Sequence, residues 1–194
     1  MTAMIGLFST CLGDAVHPRV VRDAGRVLAA AGVAAAPIVG ATCCGQPAWN
    51  GGFVADARRV APRVFELSQY LVEELAAPPI GSYTGRAVAY HDSCHMLREL
   101  RLHDPPRRLL AAVADLHELP RSDRCCGFGG AFAVRYPDVS TAMADDKLAT
   151  AQAAGAETVV SADPGCIMHI EGRASRTGAP VRVVHLASVL ADAL

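Results

Sequence analysis

The stretch Arg124-Cys125-Cys126-Gly127-Phe128-Gly129-Gly130 sets two thiols side by side at the mouth of a glycine-rich turn. A disulfide between chain neighbours closes a strained ring, so the pair is better suited to face a guest than to bond to itself. Glycines on its C-terminal side let the backbone curl tightly and approach a bulky group with no Cβ in the way. The same signature stands earlier as Thr42-Cys43-Cys44-Gly45-Gln46-Pro47. A single cysteine precedes each copy, Cys11 and Cys94, and Cys166 follows the second. Four sulfurs in the second half, Cys94, Cys125, Cys126 and Cys166, suit zinc or an iron–sulfur cluster, because both prefer soft thiolate to oxygen. Structural zinc usually sits on paired, tightly spaced knuckles, which are absent here. Widely separated cysteines plus an adjacent pair favour the larger, multi-iron object, with zinc as the alternative. Gly127, Gly129 and Gly130 leave room for it, and their backbone N–H groups are candidates to donate to its sulfides.

The bulk composition narrows the setting. With 52% hydrophobic residues, 19% charged residues and a net charge of −1, the chain reads as globular, and it is long enough to bury a core without staples. A near-neutral balance with no basic run argues against nucleic acid as a partner. The most apolar run, Val27 to Val39, is too short to span a bilayer and contains Gly32 and Pro37. Met1-Thr2-Ala3-Met4 shows no charged region leading into an apolar secretion core, so the expected address is the cytoplasm. In a reducing compartment, seven patterned cysteines point to metal or redox chemistry rather than to a disulfide framework.

The elements that must position these sulfurs come in two similar sets. In the first half, Ile5 to Ser9 reads as a strand running into Cys11, and His17-Pro18 opens a helix that stops at Gly32. A strand over Ala36 to Val39 precedes Cys43, and a helical stretch from Val54 to Leu75 is broken near Pro62. Ala76 through Gly85 reads as a linker. In the second half, the strand Ala87 to His91 runs into Cys94, and Asp104-Pro105-Pro106 opens a helix. The strand Leu116 to Leu119 precedes Cys125-Cys126-Gly127, and a helix from Pro137 stops at Gly155. The strand Thr158 to Ser161 delivers Cys166, Val181 to Val184 forms one more strand, and Leu186 to Leu194 forms a terminal helix.

Cys11 to Cys43 is 32 positions and Cys94 to Cys125 is 31, a spacing that fits a duplicated βαβ unit. The predicted fold is therefore α/β, with two pseudo-symmetric βαβ-type repeats, residues 1–80 and 86–194, and mostly parallel strands. Parallel α/β sheets gather their ligands at the carboxyl ends of the strands, where each cysteine is expected to lie. Cys11 and Cys94 also precede helices, whose positive N-termini favour thiolate.

Other candidates weigh less. His169, three residues after Cys166, is a possible extra ligand, although a capping or exposed role is the commoner outcome for such a histidine. His95 adjoins Cys94, but adjacent residues rarely orient for proton transfer, and no asparagine or aspartate partner is evident for a nucleophilic pair. Gln46 and Trp49 are expected to shape the first turn, His185 to be structural, and Arg107 and Arg108 to form a solvated helix face. Gly127, Gly129 and Gly130 lack the lysine and hydroxyl residue of a phosphate loop.

The motifs carry a family resemblance. Phe8-Ser9-Thr10-Cys11-Leu12, Cys43-Cys44-Gly45-Gln46-Pro47-Ala48, Ser93-Cys94-His95-Met96, Cys125-Cys126-Gly127-Phe128-Gly129-Gly130, Gly165-Cys166-Ile167-Met168 and Val184-His185-Leu186-Ala187 together resemble the tandem CCG cysteine-rich domain family. Its members include the B subunit of heterodisulfide reductase and the iron–sulfur subunits of glycolate oxidase and anaerobic glycerol-3-phosphate dehydrogenase. The likeness is greatest to the lactate-utilisation protein A branch. The resemblance implies a cytoplasmic iron–sulfur redox subunit of a multi-subunit oxidoreductase that takes L-lactate, or a related 2-hydroxy acid, to pyruvate. It also implies an iron–sulfur, ferredoxin-like partner subunit and one [4Fe–4S] cluster in the second repeat. The chain departs from the family in one respect: no cysteine stands between Cys44 and Cys94, so a shortened first repeat keeps only Cys11, Cys43 and Cys44. The alternative reading is a zinc-bound or metal-free assembly module that docks such a partner.

Overall fold

The computed structural model describes residues 4–41, 43–45, 52, 54–76, 81–83 and 87–194. Gln46, Trp49 and much of the expected linker lie outside the described residues. The first half opens on β1 (Ile5–Leu7), followed by α1 (Cys11–Val16), α2 (Arg19–Ala30) and β2 (Ala35–Pro37). The sequence pattern predicts a first helix at His17-Pro18, but a six-residue helix comes earlier, because Thr10 Oγ1 accepts from Gly13 N at 3.0 Å and caps it. Gly32, at φ +78°, ends α2 as expected. The stretch expected to be helical from Val54 is broken at Pro62. It forms α3 (Val54–Val60), a 3₁₀ turn over Ala61–Arg63, and α4 (Leu67–Gln69) continuing as a wide π turn over Tyr70–Glu74.

The second half holds β3 (Val88–Tyr90), a π turn over His95–Glu99, α5 (Asp104–Val113) and β4 (Leu116–His117). Then come α6 (Ala131–Arg135), α7 (Pro137–Ala153), β5 (Thr158–Ser161), α8 (Pro164–Thr177), β6 (Arg182–His185) and α9 (Leu186–Asp192). The helix α8 is an addition to the expected elements, which leave Cys166 simply following a strand. Its signals are nevertheless local: Asp163 caps it through Cys166 N, Pro164 fills its first turn, and Gly178 closes it at φ +67°.

Every strand pair among the described residues is parallel. β1 pairs with β2, and the second sheet has the order β4-β3-β5-β6. In β3 the two-residue period sends Val88 and Tyr90 to one face and Ala89 to the other. Val88, Tyr90 and Val160 pack against Leu109, Leu110 and Val113 of α5 and Leu186, Val189 and Leu190 of α9. On the opposite face, Ala89, Val159 and Val183 meet Leu148 and Ala151 of α7 and Ile167, Ile170 and Ala174 of α8. The sheet is therefore covered on both sides, as a parallel sheet must be. Val27 and Leu28 of α2 join the first of these clusters, so the first half shares its core with the second.

Candidate metal centre

The order β4-β3-β5-β6 reverses direction at β3. The chain leaves β3 for β4 on one side and later returns to β5 on the other. Ligands of open α/β sheets collect in the crevice at such a switch point. Cys94 follows β3, the Cys125-Cys126 turn follows β4, and Cys166 lies in the first turn of α8 after β5. Topology alone thus carries the four cysteines of the second half toward one edge.

The side chains complete the convergence. All seven cysteines are free thiols. Cys126 and Cys166 are buried with their sulfurs 3.1 Å apart in a hydrogen bond. A ligand atom of His91 joins them, all three lying within 4.8 Å of one another, and this trio is the group of that kind found among the described residues. Cys94 and Cys125 are half-buried at the rim, and Cys94 feels the sulfurs of both Cys125 and Cys126.

The pair titrates as a unit. The hydrogen bond shared with Cys166, against the opposing effect of burial, holds Cys126 down to about 4, with further help from His91 and the Phe128 N–H. The same bond and then burial push Cys166 far above an ordinary thiol. Two buried sulfurs share one proton, and a bound metal would displace it. The sequence predicts that a helix N-terminus activates Cys94. Burial, and then the neighbouring sulfur of Cys125, instead raise it to about 11.

The glycine turn is held in its shape from three directions. Gly127 N donates to Cys125 Sγ at 3.4 Å and Phe128 N to Cys126 Sγ at 3.5 Å, so the backbone already turns donors toward sulfur. Gly127 sits at φ +93°, and a Cβ there would stand 2.6 Å from Ser140 O, so glycine is required twice over. Ser140 Oγ, on α7, donates to Gly127 O at 2.8 Å and lies 3.2 Å from His169 Nε2. His169 therefore braces the turn through Ser140 from the middle of α8, where it is neither exposed nor at a helix cap. Lys147, also on α7, donates to Arg121 O and Ser122 O at 3.0 and 3.3 Å and fixes the approach to Cys125.

The segment from His91 to Cys94 has its own clamp. Arg107 donates two bonds to Asp92, Nη1 to Oδ1 at 2.8 Å and Nη2 to Oδ2 at 2.6 Å, and it lies over the Tyr90 ring at 5.4 Å. The expectation of a solvated face fails for Arg107. Its side chain is only 11% exposed, because the buried Asp92 draws it inward, whereas Arg108 is exposed as expected. Removing one partner of such a buried pair typically costs about 3–5 kcal/mol. His95 turns outward to Glu99 at 2.8 Å, away from any nucleophilic role.

In the first half, Cys11, Cys43 and Cys44 are exposed. Gly45 N donates to Cys43 Sγ at 3.4 Å with Gly45 at φ +82°, which repeats the geometry of the Cys125–Gly127 turn. The repeat seen in sequence is thus also a repeat of local backbone shape. The residue of this site that the motifs do not single out is His91. Its one sequence signal is its place at the end of the strand that delivers Cys94.

Comparison with known proteins agrees with this architecture. The cysteine-rich domain model CCG matches twice, over residues 5–73 and 88–171. The chain belongs to the CCG cysteine-rich domain family. This CCG chain is 33% identical over 233 residues to lactate utilization protein A of Geobacillus kaustophilus, covering 96% of the chain and 98% of the relative. It is 31% identical to the protein of that name from Bacillus pumilus, with the same coverage. It is 32% identical over 238 residues to lactate utilization protein A 2 of Bacillus cereus, with 98% of each covered. The aligned spans exceed the 194 residues of this CCG chain, so the alignments open gaps opposite it. No helix among the described residues is long and apolar enough to cross a membrane.

Proposed function

We propose that this CCG chain is an iron–sulfur redox subunit of a cytoplasmic oxidoreductase acting in lactate utilisation. The observation that carries the reading is the convergence of Cys126 and Cys166, 3.1 Å apart and buried, with Cys94 and Cys125 at the rim of the same strand edge. The donor set fits the group: sulfur-rich, with a buried histidine beside it whose ring meets no oxygen or nitrogen partner and acts on the Cys126 sulfur. Cys94, Cys125, Cys126 and Cys166 would hold it, and Gly127, Gly129 and Gly130 shape the wall around it. When bound, such a cluster supplies one-electron redox capacity.

The chain's own residues contribute placement and exclusion of water. Ser140, Lys147 and Arg107 fix the segments that carry the sulfurs. Burial of Cys126 and Cys166 keeps that side of the centre dry. No dinucleotide fingerprint stands in the sequence, so hydride chemistry on L-lactate or a related 2-hydroxy acid would belong to a partner or be cluster-assisted. A ferredoxin-like iron–sulfur subunit is a further partner, which exchanges electrons with the centre, and the exposed Cys11, Cys43 and Cys44 are candidate metal ligands of the shortened first repeat. The lactate assignment is supported by relatives that bear that name over nearly the whole chain.

A second reading draws on the compactness of the His91, Cys126 and Cys166 trio, which would also suit a single zinc ion in a non-catalytic assembly module. Iron and acid-labile sulfide analysis of anaerobically purified protein separates the two. About four irons per chain, with matching sulfide, lost in Cys126→Ser, is the expected result. Zinc without sulfide would sink the redox reading.

A further inference from the structure

We propose that His91 is a metal ligand: its imidazole supplies a nitrogen to the metal that Cys126 and Cys166 hold. The inference rests on the metal-centre reading above and adds a donor of a different kind to an otherwise all-sulfur set.

The side chain is fully buried, at 0% exposure, and neither Nδ1 nor Nε2 meets an oxygen or nitrogen partner; the group the ring acts on is the Cys126 sulfur. A buried imidazole ordinarily spends at least one nitrogen on the protein. Other histidines of this chain do so: His117 Nδ1 on Ala154 O, His169 Nε2 on Ser140, and His185 Nε2 on Ala162 O. His91 is set among sulfurs instead, with its ligand atom and those of Cys126 and Cys166 all within 4.8 Å. Ligands of one tetrahedral metal lie about 3.5–4 Å apart when their bonds are about 2.0–2.3 Å long, so the two sulfurs, now 3.1 Å apart, need only part slightly while the ring nitrogen stays within reach.

Placement by the fold supports ligation over a chance orientation. His91 N donates to Val160 O at 2.8 Å, and Ser161 Oγ donates to His91 O at 3.3 Å, so the backbone is pinned to β5. One residue on, Asp92 is clamped by Arg107. The ring is thereby fixed at the strand end that faces the cysteines, and its nitrogens meet no oxygen or nitrogen partner there. A neutral imidazole beside thiolate is a donor pair that iron and zinc both accept.

The test uses the full chain, purified anaerobically with ordinary or nitrogen-isotope-labelled histidine. Pulsed EPR is recorded on whichever of the oxidised and dithionite-reduced forms has half-integer spin. The expected result is a nitrogen coupling that changes with the histidine isotope, disappears in His91→Ala and persists in His169→Ala. The isotope comparison leaves the fold untouched, and the His169→Ala control carries the assignment if His91→Ala does not fold. Iron and sulfide present without a histidine coupling, or a coupling lost in His169→Ala, would overturn the proposal and leave the cluster reading standing. If the chain holds no iron and sulfide, the cluster reading fails, and X-ray absorption at the zinc edge decides. A nitrogen ligand that vanishes in His91→Ala sustains the ligand assignment, while a sulfur-only shell or no zinc ends it.

Discussion

Gly127 shows how much of this site depends on a single missing methyl group. Its φ of +93° disfavours any L side chain, and its Cα faces Ser140 so closely that a Cβ would stand 2.6 Å from Ser140 O and 3.0 Å from Met143 Cβ. Gly130, in the same turn, has φ +56° but open space around the position of a Cβ. Gly130→Ala therefore meets only backbone strain, of order 1–3 kcal/mol, whereas Gly127→Ala adds a collision with α7. Urea unfolding should show the larger loss for Gly127→Ala, accompanied by reduced metal content, since the collision pushes Cys126 away from Cys166. Equal losses in the two variants would mean that α7 yields freely and that the turn is not held from that side. At this scale the sequence is informative about which residues matter and silent about why. The repeated Cys-Cys-Gly points to the thiols. The burial that unites Cys126 with Cys166, and the set of the His91 ring beside them, depend on contacts across 35 to 75 positions of chain.

At the scale of elements, α9 illustrates a helix whose start is chemically conditional. His185 Nδ1 accepts from Ala187 N at 3.1 Å and forms the cap, while Nε2 meets Ala162 O at 3.2 Å. Both nitrogens are committed in the neutral ring. Burial, partly opposed by the Ala162 carbonyl, lowers its pKa to about 4. An unfolded histidine titrates near 6.5, so between about pH 4 and 6.5 the unfolded chain binds the proton that the folded chain refuses. This contribution to stability is complete above pH 6.5 and is lost as pH falls toward 4. The expected loss between pH 7 and pH 5 is about 2 kcal/mol. His185→Asn keeps a capping oxygen and removes the titration, so its unfolding free energy should fall less over that interval. Parallel curves for the two proteins would exclude His185 as the source. Elements are the most legible level of this chain, because Pro137 with Gly155 and Asp104 with Pro105 mark helix ends locally. The unexpected helix α8 carries equally plain marks in Asp163, Pro164 and Gly178. A cysteine delivered by a strand reads naturally as a loop ligand, yet a ligand sits as readily in a helix's first turn.

The whole molecule is more closely joined than its duplicated sequence suggests. β1 and β2 form their own two-stranded sheet, yet α2 lies against α9, and Leu28, 1% exposed, shares a cluster with Leu186, Val189 and Leu190. The buried Asp23 of α2 accepts from Ser188 Oγ at 2.6 Å and pairs with Arg19 at 2.9 Å, while Arg19 also reaches Asp192. Between the halves, Ser82 N donates to Ala193 O at 3.0 Å and Tyr83 N to Val113 O at 2.7 Å, so the connection is itself fastened to the second half. A shared core of this kind should make the two repeats unfold together. Helical circular dichroism and the absorption of the bound metal centre should then be lost at the same urea concentration in a single transition. Leu28→Ala, a change in the first repeat, should lower the unfolding free energy of that common transition by about 2–5 kcal/mol. It should shift the metal signal as far as the helical one. If Leu28→Ala instead produces an early helical transition while the metal absorption survives to the wild-type midpoint, the second repeat stands alone and the contact between α2 and α9 is a loose docking. If both signals move together, the two repeats share one cooperative core, and the metal centre depends on the first repeat for its stability, whatever the exposed cysteines of that repeat bind.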